Sequence, residues 1–341
     1  MRPSHRPSVP RWLPPLLLGA LFGGAVAQDR SSTPTAFAVQ APPGAHVPPV
    51  PLLWQATAGD NTVYLLGAFH LLLPSDYPLS RDVDLAFADA EKVMFELAPE
   101  EMSSPQLGLE MARAALRNDG TTLDSELPAA TVARLRAWET ANADLLARTG
   151  MTAASLQAME PWFAALVVTL TEMSRMGLQP ELGIDAHFAA RAAAERKPTT
   201  GLETGAQQIA FLDGMSVAEQ RQFLDEALTE AGKGPEAMQA VHRAWREGDA
   251  ATLWQQMALD MRASYPALYQ RINVDRNDAW LPAIEARLSA PDGDDTLVVV
   301  GALHLLGKDG VVEKLRARGH AVERICSACK APATDTAVPT N

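Results

Sequence analysis

Hydrophobic positions change their period twice along this chain, dividing it into strand-rich ends and a helical middle. Leu52–Ala56 and Thr62–Phe69 are short apolar or alternating runs either side of Gly59-Asp60-Asn61, whose turn chemistry predicts a hairpin. Ser80 opens a helix to about Glu91, and Lys92–Leu97 (KVMFEL) has the apolar content of a buried strand. From about Pro105 to Ala290 the spacing is mostly that of one helix face after another. Ser216-Val-Ala-Glu219 has the form of a capping box, and Pro235 suits the first helical position. One interruption, Lys197–Glu203 (KPTTGLE), predicts a short strand between helices. Thr296–Ala302 (TLVVVGA) then forms a continuous apolar strand, followed by a helix around Val311–Arg318 and a last strand over Ala321–Ile325.

The two ends repeat each other. Val63-Tyr-Leu-Leu-Gly67-Ala-Phe-His70-Leu-Leu matches Val298-Val-Val-Gly301-Ala-Leu-His304-Leu-Leu, and each copy continues into a loop, a helix and another strand. This predicts an α/β fold with a mostly parallel sheet built from two terminal βαβ units and a long helical insertion, because a helical crossover returns the chain in the same direction. Ligands of open parallel sheets bind outside the carboxyl ends of the strands, where both histidines fall. With neighbouring strands about 4.8 Å apart, the two imidazoles can converge on one ion or substrate atom. Gly67 and Gly301 suit positions where the backbone turns sharply or lets a ligand approach. A single Gly-x-x-His would carry little meaning; two copies in equivalent contexts carry much more.

The termini read as address and linker. Arg2, Arg6 and Arg11 precede an apolar stretch, Trp12–Ala27, that ends in Ala25-Val26-Ala27, the form cut by signal peptidase. That stretch contains Pro14, Pro15 and three glycines and is shorter than the ~20 residues of a spanning helix. The expectation is an exported, periplasmic or secreted protein cleaved after about Ala27, with no membrane span thereafter. Residues 28–50 read as a linker, 51–330 as one domain with its insert at about 105–290, and 331–341 as a disordered tail.

Charge narrows the partners. The 341 residues carry 29 Lys+Arg against 41 Asp+Glu, net −12, and removal of the first 27 takes three arginines to leave −15. Nucleic acid and anionic membrane surfaces are therefore disfavoured. A peptide or small-molecule substrate is the expected partner, and the sequence does not give the oligomeric state. Cys326 and Cys329 are the only cysteines. Without a second pair their C-x-x-C is a poor zinc knuckle, and in an oxidising compartment a local disulfide is expected. No G-x-S-x-G, H-E-x-x-H, P-loop or dinucleotide fingerprint occurs.

Phe95-Glu96-Leu97, Leu182-Gly-Ile-Asp185, Gly201-Leu-Glu-Thr204 and Asp275-Arg-Asn277, together with the doubled Gly-x-x-His, stand in an order that resembles the TraB/PrgY/GumN family over roughly residues 52–326. That family is akin to the Tiki metalloproteases and, more remotely, to the erythromycin esterase and ChaN-like proteins. The resemblance implies an α/β core from the two ends and a divalent-metal site of strand-end histidines and carboxylates. It also implies peptidase-like hydrolysis of the Mn- or Co-favouring Tiki kind, although many bacterial members have no established activity. Two departures stand out. Leu71-Leu-Leu-Pro74 follows His70 where relatives often carry glycine, and Asp275 precedes Arg276 where Glu is commoner.

Weighed by their own chemistry, Glu96 and Glu203 each end an apolar strand, where an unpaired carboxylate is expensive to bury. Each either faces solvent at the strand edge, pairs with a cation as a ligand, or serves as a general base. With His70 and His304 they make a mixed N/O set suited to Zn, Mn or Fe(II). Asp185 opens a helix as an N-cap or supports a histidine. Arg276 and Asn277 start a helix ending near Ala290, with Arg276 either a surface residue or a clamp on a substrate carboxylate or oxyanion. His187, His242 and His320 are expected to be structural or exposed, and Trp162, Met173 and Met176 to fill the core. Three functions follow: a metal-dependent hydrolase, which is favoured; a non-catalytic ligand- or peptide-binding protein using the same pocket; and an envelope interaction protein docking through its helical middle.

Overall fold

The computed structural model describes residues 47–329. The expected signal segment, nearly all of the linker and the tail lie outside the described residues. Six strands form one sheet: β1 Leu53–Ala58, β2 Asn61–Ala68, β3 Lys92–Leu97, β4 Thr199–Glu203, β5 Thr296–Gly301 and β6 Ala321–Arg324, in the order β4-β3-β5-β2-β1-β6. The run β4-β3-β5-β2 is parallel, and β1 pairs antiparallel with both β2 and β6. This is the mixed α/β, mostly parallel architecture expected.

The hairpin is tighter than its turn residues imply. Ala58 pairs with Asn61, so only Gly59 and Asp60 connect the strands. Gly59 has φ +61°, a conformation that costs glycine little.

The two βαβ units keep their parallel sense but not their adjacency. β5 slots between β2 and β3, so the two copies of the repeat pair with each other, Gly67 opposite Val300 and Ala68 opposite Gly301. Burial explains the order. Val298, Val299 and Val300 are wholly buried, so the most apolar strand takes the centre, while short β4 and β6 take the edges.

The helical insert folds as the periodicity indicates. Ser216 caps the helix Val217–Ala231 in a capping box with Glu219, and Pro235 begins the helix Pro235–Glu247. Two single π-helical turns, Gln255–Leu259 and Gln270–Val274, have no signature in the apolar spacing. The second leads directly into the helix Asp275–Leu288, which packs against β1, β2 and β4. Such extra-residue turns re-aim the residues that follow them, here Arg276 and Asn277. Cys326 and Cys329 form a disulfide. Among the described residues no helix is long and apolar enough to cross a membrane.

Candidate functional site

The four parallel strands deliver one polar side chain each to the same sheet edge. Glu203 is the last residue of β4 and Glu96 the penultimate one of β3, while His304 follows β5 within a short helical turn, Ala302–Leu305, and His70 follows β2. Glu96, Glu203 and His304 are buried, at 6%, 7% and 5% exposure. Neither glutamate faces solvent. The cation that pairs with them is Arg276, itself 1% exposed.

The guanidinium ties the group together. Its Nη2 donates to Glu96 Oε2 at 2.6 Å and to Glu203 Oε1 at 2.5 Å, and its Nε donates to Glu203 Oε2 at 3.1 Å. Nη1 donates to Ile272 O at 3.4 Å and lies 3.1 Å from His304 Nε2. Glu203 also accepts from Gln208 Nε2 at 2.8 Å and Trp280 Nε1 at 3.1 Å, and the Trp280 ring lies 4.7 Å from the guanidinium carbon. Glu96 Oε1 accepts the Gly301 N–H at 2.7 Å. Burial by itself would raise the Glu96 carboxyl. Together the Arg276 charge, His304, His70 and the Gly301 amide outweigh it and bring Glu96 down to about 2.

The two histidines are held in opposite electrostatic states. Asn277 Nδ2 donates to the Asp309 carbonyl at 2.8 Å, which turns Asn277 Oδ1 toward His304 Nδ1 at 2.7 Å. His304 Nδ1 must therefore carry the proton, leaving the Nε2 lone pair to accept from Arg276. Burial and the Arg276 charge depress His304 to about 3, so it is neutral. His70 Nδ1 instead meets the Asp185 carboxylate at 2.6 Å. Burial alone would depress His70 too, but Asp185 and then Glu96 override it and lift the imidazole to about 9.

Asp185 reaches His70 because of the residue two before it. Gly183, not Asp185, occupies the N-cap position of the helix Ile184–Glu195. A Cβ on Gly183 would stand 2.1 Å from the His70 carbonyl oxygen, so only glycine allows the helix to seat this closely. The Ile184 N–H bonds to Phe69 O at 3.0 Å, locking the helix onto the exit of β2. Gly301 serves the other wall. A Cβ there would lie 3.2 Å from Glu96 Oε1, 3.4 Å from His70 Nε2 and 3.5 Å from His304 Cδ2. The two imidazoles and one carboxylate thus converge on the space that glycine leaves open. Gly67 has no such role, since it packs on Leu52 and Ala302 and its carbonyl accepts from Trp245 Nε1 at 3.0 Å.

Imidazole nitrogens with one carboxylate oxygen are a donor set suited to a divalent ion, and each histidine has its Nδ1 fixed by an outer partner, as ligating histidines do. His70, His304 and Glu96 would hold the ion, with Asp185 and Asn277 orienting the rings. Glu203 is turned away onto Arg276, Gln208 and Trp280. As the side chains stand, no three His, Cys, Asp or Glu among the described residues are grouped to hold a metal ion; Arg276 occupies the His304 lone pair and Glu96 Oε2.

Several participants left little trace in the sequence. Trp280 lies one helical turn after Arg276, and Gln208 five residues after Glu203, spacings visible only once the helices are placed. His242, expected to be structural or exposed, is structural: it is buried against Asp76 at 2.9 Å, with Arg246 pairing the same carboxylate. This holds the segment after His70 onto the helix Pro235–Glu247. His187 is half-buried against Tyr77, and His320 sits 3.3 Å from Glu285.

Fold and site define an α/β protein in which two Gly-x-x-His strand ends converge on a carboxylate–arginine cluster. The chain belongs to the TraB/PrgY/gumN family, whose model matches residues 52–324. It is similar to the uncharacterized protein YbaP of Escherichia coli (strain K12), 30% identical over 168 residues, which is 48% of this chain and 59% of that relative. The protein of the same description from Shigella flexneri matches to the same extent. No solved structure matches significantly.

Proposed function

We propose that this protein is an exported hydrolase of peptide or related acyl bonds that works with a divalent metal ion held by His70, His304 and Glu96. The observation that carries the reading is the convergence of His70 Nε2, Glu96 Oε1 and the His304 ring on the space over Gly301. The ion would polarise the substrate carbonyl and acidify the attacking water; Mn, Co, Zn and Fe all suit the donors. His304 offers a neutral Nε2 lone pair because Asn277 fixes its tautomer. Asp185 orients the His70 ring by holding its Nδ1 at 2.6 Å, which leaves Nε2 to face the ion. Arg276 places a fixed positive charge where a substrate carboxylate or developing oxyanion is stabilised.

A non-catalytic ligand-binding role has one observation in its favour, since Arg276 leaves neither glutamate unpaired to act as a base. Both readings are tested by one experiment. Protein purified without chelator is analysed for metal beside a His70→Ala/His304→Ala double variant, and both are assayed on a peptide library with each divalent metal supplied. The hydrolase reading expects stoichiometric metal and turnover that the double variant loses. Equal metal in both proteins overturns it, and ligand binding without turnover under any metal establishes the alternative.

A further inference from the structure

Arg276 makes its contacts from two edges of one rigid plane. One edge, Nε with Nη2, grips both oxygens of Glu203 at 3.1 and 2.5 Å. The other, Nη1 with the shared Nη2, covers His304 Nε2 at 3.1 Å and Glu96 Oε2 at 2.6 Å. These last two groups are the ones an ion would need. A second cation brought beside a guanidinium that is 1% exposed meets strong repulsion, because little solvent intervenes to screen it.

Glu203 is built to keep the guanidinium when the other edge lets go. Gln208 Nε2 and Trp280 Nε1 hold its carboxylate in place, and the Trp280 face supports the guanidinium plane at 4.7 Å. Withdrawal from Glu96 and His304 therefore costs those two side-chain contacts while the guanidinium, pivoting on the Glu203 carboxylate, keeps that partner through Nε.

We propose that the Arg276 guanidinium and a divalent ion are mutually exclusive occupants of the Glu96–His304 face, with Glu203 the berth onto which Arg276 withdraws when the ion binds. This rests on the metal-dependent reading of the site. It assigns Glu203 to Arg276 rather than to the ion, and makes Arg276 the cation that keeps the metal-free site folded.

The test is calorimetric titration of Mn²⁺ into metal-stripped wild type, Arg276→Met and Arg276→Lys, with thermal midpoints measured beside it. Arg276→Met is expected to bind Mn²⁺ at least tenfold more tightly than wild type and to gain more midpoint on Mn²⁺ addition. Arg276→Lys, which keeps the charge but loses the fork, is expected to gain less. Arg276→Met that folds only with Mn²⁺ present also supports exclusion. If it folds under neither condition, ¹⁵N spectra of wild type with Zn²⁺ decide. Exclusion requires that the His304 nitrogens shift while the Arg276 Nε–H bonded to Glu203 persists; a shifted His304 with every Arg276 signal unchanged overturns it. Affinity in Arg276→Met no higher than in wild type also overturns it, and if wild type still binds the ion the metal-dependent reading survives. Wild type without Mn²⁺ uptake or turnover, beside an Arg276→Met that binds, retains exclusion and removes that reading.

Discussion

Asn277 Oδ1 lies 2.7 Å from His304 Nδ1 while the same amide donates to Asp309 O. One buried amide thereby sets the tautomer of a histidine 27 residues away in sequence, which burial and the Arg276 charge keep neutral. Asn277→Ala strands the imidazole N–H and the Asp309 carbonyl, for an expected loss of about 1–3 kcal/mol in urea unfolding. Asn277→Asp puts a negative charge on Nδ1 and is expected to raise the His304 pKa above the wild-type value of about 3. Histidine ¹H–¹⁵N titration measures it; no upward movement would remove Asn277 as the controlling partner.

Arg276 and Glu96 form a buried ion pair whose removal is asymmetric. Arg276→Ala leaves Glu96 and Glu203 without their cation and is expected to cost about 3–5 kcal/mol in chelator-treated protein, roughly 6–15 °C in midpoint. The triple change Arg276→Met, Glu96→Gln, Glu203→Gln removes charge on both sides and is expected to recover much of that loss. A triple variant less stable than Arg276→Ala would show that packing, rather than the unpaired charge, dominates.

The metal-free fold should have a stability maximum near the ordinary histidine pKa. His304 is depressed to about 3, so its contribution is present above about 6.5 and is lost as pH falls toward 3. Glu96, depressed to about 2, acts in the same direction, losing its contribution as pH falls below about 4.5. His70 is raised to about 9, so its contribution is full below about 6.5 and is lost as pH rises through 9. Asp185→Asn removes the carboxylate that raises His70 and should flatten the alkaline limb while leaving the acid limb in place. Unfolding free energies between pH 4 and pH 10 measure both limbs, and an unchanged alkaline limb in Asp185→Asn would overturn the assignment to His70.

Two glycines separate seating from function. Gly183→Ala places a Cβ 2.1 Å from the His70 carbonyl, so the helix must move, at an expected cost of about 3 kcal/mol. Gly301→Ala meets its neighbours at 3.2–3.5 Å and is expected to fold within about 1 kcal/mol of wild type while filling the space where His70, Glu96 and His304 converge. Loss of metal uptake in Gly301→Ala with an unchanged melting curve is the expected result; normal uptake would place the ion elsewhere.

Much of the sheet was legible because its strands carry their own signal. Lys92–Leu97 is bounded as the apolar run indicates, and the strand within Lys197–Glu203 appears as Thr199–Glu203. Strand order was not legible, since apolar periodicity is local and says nothing of which runs pair. The interleaving of β5 between β2 and β3 depends on competition among buried strands for the centre of the sheet.

The candidate site divides in the same way. By itself the sequence determined that two histidines and two carboxylates end strands, that Leu182-Gly-Ile-Asp185 and Asp275-Arg-Asn277 open helices, and which family the chain resembles. All of this follows from residue types at short spacings. Only the tertiary structure decided that Arg276 is the cation between Glu96 and Glu203, that Asp185 raises His70 while burial and Arg276 keep His304 neutral, and that Gly301 leaves the space they face. Those outcomes rest on hydrogen bonds across 73, 115 and 180 residues of chain, in a buried setting where a charge persists only beside its partner.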